Sequence, residues 1–328
     1  MTLPRTLYWS MAPESVYDVL RECARGIAEL DTLASGSVGE RRDLLRTAQV
    51  LIVAAHTFTA EDLDAAPKLA LLHHQGVGYQ DTTPVAALAR RRVRLALTPE
   101  GTTTGVAEHT VLLMLAVCKR LAHVDAELRQ GRWHVNTYRS ECREIAGMTV
   151  GYVGFGRIGR AVAQRLAAFG ARAIFCDPGV GAERIDCGGA QAHARPFEAL
   201  LAEADIVSLH LPFTPVVRHL IDARALARMK RGAMLINASR GGLVDEAALH
   251  AALQSGHLAG AGLDCFVQEP PDPAHPLLRL PQVVVTPHTA AATIDALRAK
   301  MQALFANVER WQRGEELHNE VLLSQGRA

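Results

Sequence analysis

Apolar positions fall into two rhythms along this chain. Short, nearly continuous apolar runs at Leu3–Trp9, Val50–Ala54, Leu69–His73 and Arg94–Leu97 alternate with segments of helical spacing at Pro13–Gly26, Gly39–Ala48 and Pro84–Arg91. The runs read as strands buried on both faces, and their alternation with helices as a small parallel α/β unit. Thr102 to Ala122 reads as one long apolar helix opened by Thr102-Thr103-Thr104. Gly131 to Ala146 is polar and irregular, carries Trp133 and Tyr138, and reads as a surface loop or arm. The alternation then restarts, with strands expected at Met148–Val153, Ala171–Cys176, Ile206–His210, Ala233–Asn237, Gly260–Asp264 and Val283–Thr286. A last long helix, Thr293–Arg313, ends at Gly314. The second sheet is complete before that helix begins, so the helix is expected to cross back onto the first unit and leave a cleft between the two. The expected fold class is α/β, with two doubly wound parallel-sheet domains: 1–102 plus 290–328, and 103–289.

Composition narrows the classes of function. A chain of 328 residues suits two domains, and 49% apolar with only 5% aromatic residues implies aliphatic cores. Thirty-five basic and thirty-four acidic residues leave a net charge of +1. The densest basic cluster, Arg90-Arg91-Arg92-Val93-Arg94, reads as the solvated end of a helix, so no nucleic-acid partner is expected. The six cysteines show no CxxC pair or framework spacing and are expected to be free thiols. The N-terminus lacks a charged-then-apolar signal region, and Val111–Val117 is too short to span a membrane. A cytoplasmic protein without a membrane partner is expected.

The most informative stretch joins the strand ending at Val153 to glycines 154, 156 and 159. A helix follows, with apolar Ile158, Val162, Leu166 and Phe169. Gly154 suits the tight turn, Gly156 a close backbone approach to a pyrophosphate, and Gly159 close helix–strand packing. The phosphates would rest on free N–H groups at the positive helix end, Arg157 and Ile158 among them. Asp177 closes the next strand, 23 residues after Gly154, where a carboxylate accepts hydrogen bonds from an adenosine ribose. It would repel a 2′-phosphate, and Pro178-Gly179-Val180 offers no cation to bind one, so NAD is expected rather than NADP.

Four charged residues stand at the ends of late strands: Arg240, Asp264, Glu269 and His288. Ligands of open α/β sheets bind outside the carboxyl ends of strands. An arginine fork can hold the carboxylate of a 2-oxo acid and polarise its carbonyl. A histidine can supply the proton that hydride arrival demands, and a neighbouring glutamate keeps that histidine charged. Asp264 would serve the nicotinamide side or the histidine's surroundings. The paired histidines His73-His74 lack a third ligand at sensible spacing, so no metal is expected.

Several segments together resemble the D-isomer-specific 2-hydroxyacid dehydrogenases, a family with glyoxylate/hydroxypyruvate reductases, D-lactate dehydrogenases and phosphoglycerate dehydrogenases. They are Asn237-Ala238-Ser239-Arg240-Gly241-Gly242-Leu243-Val244-Asp245-Glu246, Gly260–Asp264, Glu269-Pro270, Thr286-Pro287-His288, Val106–Thr110 and Leu209–Pro215. The resemblance implies a flavodoxin-like substrate domain and a Rossmann-like NAD domain. It implies Arg240, Glu269 and His288 as catalytic residues. It places NAD(H) at Gly154, Gly156, Arg157, Ile158, Gly159, Asp177, Leu211, Pro212, Ala238, Ser239, Arg240, Asp264 and His288. It implies that Gly76, Val77 and Gly78 offer backbone N–H groups to the substrate carboxylate beside Arg240 and His288, as a glycine-flanked nest can. A homodimer is usual. The function implied is NAD-dependent interconversion of a small 2-oxo acid and its D-2-hydroxy acid. The alternative is an NAD(H)-sensing, corepressor-like interaction protein of the same fold. Glu269 speaks against formate oxidation, since formate enzymes of this type resemble the pattern with Gln there. The chain departs from the family pattern at Val217, at Cys265, at Thr289-Ala290-Ala291-Ala292 and at Gln80-Asp81.

Overall fold

In the computed structural model, which describes residues 2–54, 56–80 and 82–323, the apolar runs up to Leu97 form one sheet. Its strands are β1 (Arg5–Tyr8), β2 (Glu29–Asp31), β3 (Val50–Val53), β4 (Leu71–His74) and β5 (Arg94–Leu97). They lie parallel in the order β5-β4-β3-β1-β2, and the short strand Glu320–Val321 adds antiparallel to β5. Both faces are apolar. Leu7, Leu51, Leu72 and Leu95 pack into one layer, and Tyr8, Val50, Ile52, Leu71 and Ala96 into the other. The helix Ile294–Gln312 closes the second layer with Met301, Leu304, Phe305 and Val308. This unit runs to Thr102 and resumes at Ala292; the other is Thr103–Ala291. Asp81, one of the departures noted above, lies outside the described residues.

The second unit carries β6 (Thr149–Val153), β7 (Arg172–Cys176), β8 (Arg184–Asp186), β9 (Gln191–Ala194), β10 (Ile206–Leu209), β11 (Ala233–Asn237), β12 (Leu258–Leu263) and β13 (Val283–Val285). Their order is β13-β12-β11-β10-β6-β7-β9-β8, and all neighbours are parallel except β8 with β9. Alternate residues face opposite layers: Val207, Leu209 and Leu235 one way, Ile206, Met234 and Ile236 the other. The chain leaves β6 toward β7 on one side and places β10 on the other, so the strand order reverses beside β6. That reversal point is where ligands of such sheets bind. The α/β class and the two parallel-dominated sheets agree with the expectation from sequence.

Two local expectations fail, and several small elements were not expected. The apolar stretch after Thr102 is two helices, Thr102–Cys118 and Leu121–Arg129, broken where Arg120 takes a left-handed φ of 51°. Arg120 there pairs with Glu141 and lies over the Tyr138 ring, 5.2 Å from its centroid. Tertiary partners thus hold a bend that no Gly or Pro announces. The helix Arg157–Ala167 keeps the expected stripe through Leu166, but Phe169 lies past its end and is exposed. The edge elements β2, β8 and β9, and the helix Ala60–Asp64 with its Thr59–Asp62 capping box, carry too little periodic pattern to be expected.

Candidate active site

The glycine loop follows β6 directly. Gly154 has φ 89°, and a Cβ there would come within 2.5 Å of the His210 carbonyl oxygen, so a larger residue would force β6 and β10 apart. At Gly159 a Cβ would stand 2.7 Å from the Gly154 carbonyl oxygen, which is how closely the helix sits on the loop. Gly156 is the N-cap of the helix Arg157–Ala167, and no side chain caps it. The first N–H groups, at Arg157 and Ile158, therefore present the helix's positive end. Asp177, just past β7, accepts from the Phe155 N–H at 2.7 Å through Oδ2 and from the Gly179 N–H at 2.8 Å through Oδ1. Its carboxylate thus braces the glycine loop and keeps lone pairs for further donors. These features, a close-approach turn, an uncapped helix start and a carboxylate at the next strand end, fit a dinucleotide.

On the other side of the reversal point, His210 donates its backbone N–H to Val153 and pairs its Nε2 with Ser208 Oγ at 2.8 Å. Burial pushes its ring down to about 3, so it is neutral. Leu211 and Pro212 follow at once, with Leu211 packed on the core.

Beyond β11, Asn237 builds the turn that carries Arg240. Its buried amide donates to the Arg240 carbonyl oxygen at 2.9 Å and accepts from the Ser239 N–H at 3.0 Å. Ser239 Oγ donates to the Leu209 carbonyl oxygen at 2.7 Å, and Ala238 packs on the core. Gly241 then lies so close to the segment after Asp264 that a Cβ would stand 1.9 Å from the Phe266 carbonyl carbon. The Arg240 turn and the loop bearing Glu269 are therefore pressed backbone to backbone.

Glu269 uses both oxygens. Oε1 accepts from the Phe266 N–H at 3.0 Å, and Oε2 pairs with His288 Nδ1 at 2.8 Å. Both side chains remain partly open to solvent, His288 at 46% and Glu269 at 39%. The Glu269 hydrogen bond raises the His288 pKa, overcoming burial and the opposing charge of Arg240, with Asp264 adding to the rise. Burial alone would raise Glu269, but the bonds from His288 and the Phe266 N–H prevail and lower it. The two shifts together favour the imidazolium–carboxylate form of the pair.

Asp264 is 1% exposed, and its hydrogen bonds go to the loop around His288. Oδ1 accepts from Thr286 Oγ1 at 2.5 Å and from the Thr289 N–H at 2.8 Å, and Oδ2 accepts from the Ala290 N–H at 2.9 Å. Its carbonyl oxygen accepts from the His288 N–H at 2.8 Å. His288 itself sits at a left-handed φ of 54°, a conformation uncommon for residues other than glycine. Among the departures from the family pattern, Thr289 and Ala290 are the residues Asp264 holds, Cys265 is buried with Sγ 3.6 Å from the Asn237 carbonyl oxygen, and Val217 packs on the core.

Arg240, Glu269, Asp264 and His288 thus gather at the ends of β11, β12 and β13. Gly76, Val77 and Gly78 belong to the first unit, where the Gly76 N–H returns to the His74 carbonyl oxygen and its own carbonyl accepts from Thr98. His73 is fully buried between Thr98 Oγ1 and Asn307 Nδ2, and burial drives it down to about 3. Among the described residues no group of three His, Cys, Asp or Glu side chains could hold a metal ion. Two supports escaped the sequence reading. Glu246 accepts from the Val267 N–H at 2.8 Å and pairs with His275 at 3.2 Å, holding the Glu269 loop from behind. His109 meets Thr286 and Asp264. Both stand within the matched motif segments, which was their only signal.

Residues 111–290 match the family model described as D-isomer specific 2-hydroxyacid dehydrogenase, NAD binding domain. A D-3-phosphoglycerate dehydrogenase from Mycobacterium leprae is 46% identical over 247 residues, covering 75% of this chain but 46% of that protein. The chain thus spans about half the length of such relatives. A glyoxylate reductase from Thermofilum pendens is 36% identical over 315 residues, covering 93% of this chain and 90% of its own. Among solved structures, a D-lactate dehydrogenase from Aquifex aeolicus, complexed with NAD and lactic acid, superposes with a TM-score of 0.82 at 26% identity, covering 95% of this chain and 96% of that one. With its glycine loop, strand-end charges and NAD-binding domain all of one pattern, the chain belongs to the D-isomer-specific 2-hydroxyacid dehydrogenase family.

Proposed function

We propose that this protein reduces a small 2-oxo acid to its D-2-hydroxy acid with NADH, and runs the reverse oxidation with NAD. The observation that carries the reading is the 2.8 Å His288–Glu269 pair beside Arg240 at the strand ends of an NAD-binding domain. Bound at the glycine loop, NADH supplies the hydride that the substrate's carbonyl carbon takes up. Glu269 occupies Nδ1 of His288, so Nε2 is the nitrogen that gives its proton to the carbonyl oxygen. The Glu269 carboxylate keeps that imidazolium loaded before the transfer. Arg240 holds the substrate's carboxylate and polarises its carbonyl; in the Gly76-Val77-Gly78 segment the Gly76 N–H is spent on the His74 carbonyl oxygen, which leaves the Val77 N–H as the donor proposed for the same carboxylate. Arg157 and Ile158 hold the pyrophosphate and Asp177 the adenosine ribose, with Leu211, Pro212, Ala238, Ser239 and Asp264 lining the remainder. The Asp177 carboxylate repels a 2′-phosphate, which favours NAD over NADP.

Glyoxylate and hydroxypyruvate head the candidate substrates, because the glyoxylate reductase relative aligns over nearly the whole chain. Leu112, Leu121, Leu128, Trp133 and Val135 are exposed along the helices and arm before β6, which supports a homodimer. The six free cysteines support a reducing compartment such as the cytoplasm. The test is NADH consumption by the purified protein against a panel of 2-oxo acids, with NADPH in parallel. Turnover of one or two members with NADH preferred is the expected result; tight NADH binding without turnover of any would refute the reductase reading.

A further inference from the structure

The loop that carries His288 is held from behind by a short relay that starts on another element. His109, on the helix Thr102–Cys118, places Nε2 2.8 Å from Thr286 Oγ1 and 3.5 Å from Asp264 Oδ1. Thr286 Oγ1 lies 2.5 Å from Asp264 Oδ1. A carboxylate can only accept, so the single hydroxyl proton of Thr286 goes to Asp264, and Thr286 must accept from His109. The relay therefore has one direction, from His109 Nε2–H to the Thr286 hydroxyl to the Asp264 carboxylate. The Asp264 carboxylate in turn holds the backbone just after the acid, through the N–H groups of Thr289 and Ala290, while its carbonyl oxygen holds the N–H of His288 itself. His288 has its left-handed φ within this bonded stretch.

We propose that His109 is a positioning residue for His288: by donating to Thr286 it orients the hydroxyl that locks Asp264 into the loop, and so sets where the imidazole stands. The proposal rests on the reading of His288 as the acid. Among the described residues His109 meets Thr286 and Asp264, and it acts on His288 through them. The charged groups facing His288 itself are Glu269, Arg240 and Asp264. A drift of the loop would first lengthen the Glu269 bond that keeps the ring charged.

The experiment compares His109→Ala, His109→Gln, Thr286→Val and the double variant His109→Ala/Thr286→Val. The readouts are kcat and KM for the 2-oxo acid that the wild type turns over, and the His288 ring titration followed by NMR. Breaking the relay at either end is expected to lower kcat by ~10-fold or more, as misplacement of a reacting group does, while KM changes little. Glutamine carries an N–H near the position of Nε2, so His109→Gln is expected to recover most of the loss. The double variant should be no worse than either single one, since both cut the same chain. The His288 midpoint should fall toward that of an ordinary histidine in His109→Ala. Unchanged kcat in His109→Ala, failure of His109→Gln to rescue, or losses that multiply in the double variant would each overturn the proposal. If the wild type turns over no 2-oxo acid, the functional reading fails on its own. The His288 titration then decides the positioning role by itself, and an unmoved midpoint in His109→Ala sinks it.

Discussion

Replacing Gly241 with alanine tests the packing that brings Arg240 to Glu269. The added methyl would stand 1.9 Å from the Phe266 carbonyl carbon, 2.2 Å from its oxygen and 2.3 Å from the Val267 nitrogen. All three are backbone atoms, so no side-chain rotation relieves the overlap. Carbon atoms settle at about 3.5 Å or more, so the Arg240 turn and the 266–267 segment must part by roughly 1.5 Å. Phe266 supplies the N–H that holds Glu269 Oε1, and Glu269 Oε2 holds His288 at 2.8 Å. A shift of that size takes the Glu269–His288 bond, or the place of Arg240 beside it, out of hydrogen-bonding reach. Misplacement by about 1 Å can cost ~100-fold in rate, and forcing a methyl into a full site costs about 3 kcal/mol at the upper end. The assay is kcat on the best 2-oxo acid together with the Tm of the same preparation. A drop of ~100-fold in kcat is expected, with Tm lower by roughly 6–12 °C for a unit of this size. Gly242→Ala is the control, since its methyl would meet the edge of the Phe213 ring at 2.6 Å, which can swing aside. If Gly241→Ala kept wild-type kcat and Tm, the claim that this contact sets the site would be wrong.

Glu269→Gln removes the charge that raises the His288 pKa. Reduction needs the imidazolium and fails as pH rises through that pKa, so the basic limb of the kcat profile should move to lower pH; an unmoved limb would refute the pairing. Asp177→Ala should weaken NADH binding and narrow the preference over NADPH, because it removes both the repelling charge and the brace on the Phe155 N–H; kinetics with the two cofactors would show it. Lys300 is 6% exposed, and burial lowers its pKa. The unfolded chain therefore binds that proton more tightly, and the penalty fades as pH rises from the lowered value to the ordinary lysine range. Lys300→Met should stabilise the first unit by about 1 kcal/mol at neutral pH, read as a higher Tm, and a lower Tm would show that the ammonium has a partner worth keeping.

Much of the second unit was legible because its signals are local. A β-branched run, three glycines and a carboxylate at the next strand end define β6, its turn and β7 within thirty residues or so. The strand-end placement of Arg240, Asp264, Glu269 and His288 followed from the same alternation. What escaped depends on partners distant in sequence. The bend at Arg120 is held by Glu141 and Tyr138, and nothing in Lys119-Arg120 itself breaks a helix. Asp264 was read as serving the nicotinamide side or the histidine's surroundings, and its bonds do run into the loop around His288; that they go mostly to backbone N–H groups is a fact of loop geometry. His109 lies far from Thr286 along the chain, so the relay existed in no window of the sequence. Phe169 fits the helical period but follows the last helical turn, where the backbone has already turned away.

The route of the chain through the first sheet also constrains how it can be made. The core layer holding Tyr17, Leu20 and Leu71 is completed by Met301, Leu304, Phe305 and Val308. The Arg94–Glu320 pair that ties the edge strand joins residues 226 apart. During synthesis from the N-terminus, residues up to Thr102 would emerge with one face of their sheet uncovered. They would wait through the whole of Thr103–Ala291, whose own sheet needs nothing from beyond it. The unit whose first residues emerge earliest is therefore the later one to become stable, and until the ribosome passes Val308 its bare leucines and tyrosines are a target for chaperones and a seed for aggregation.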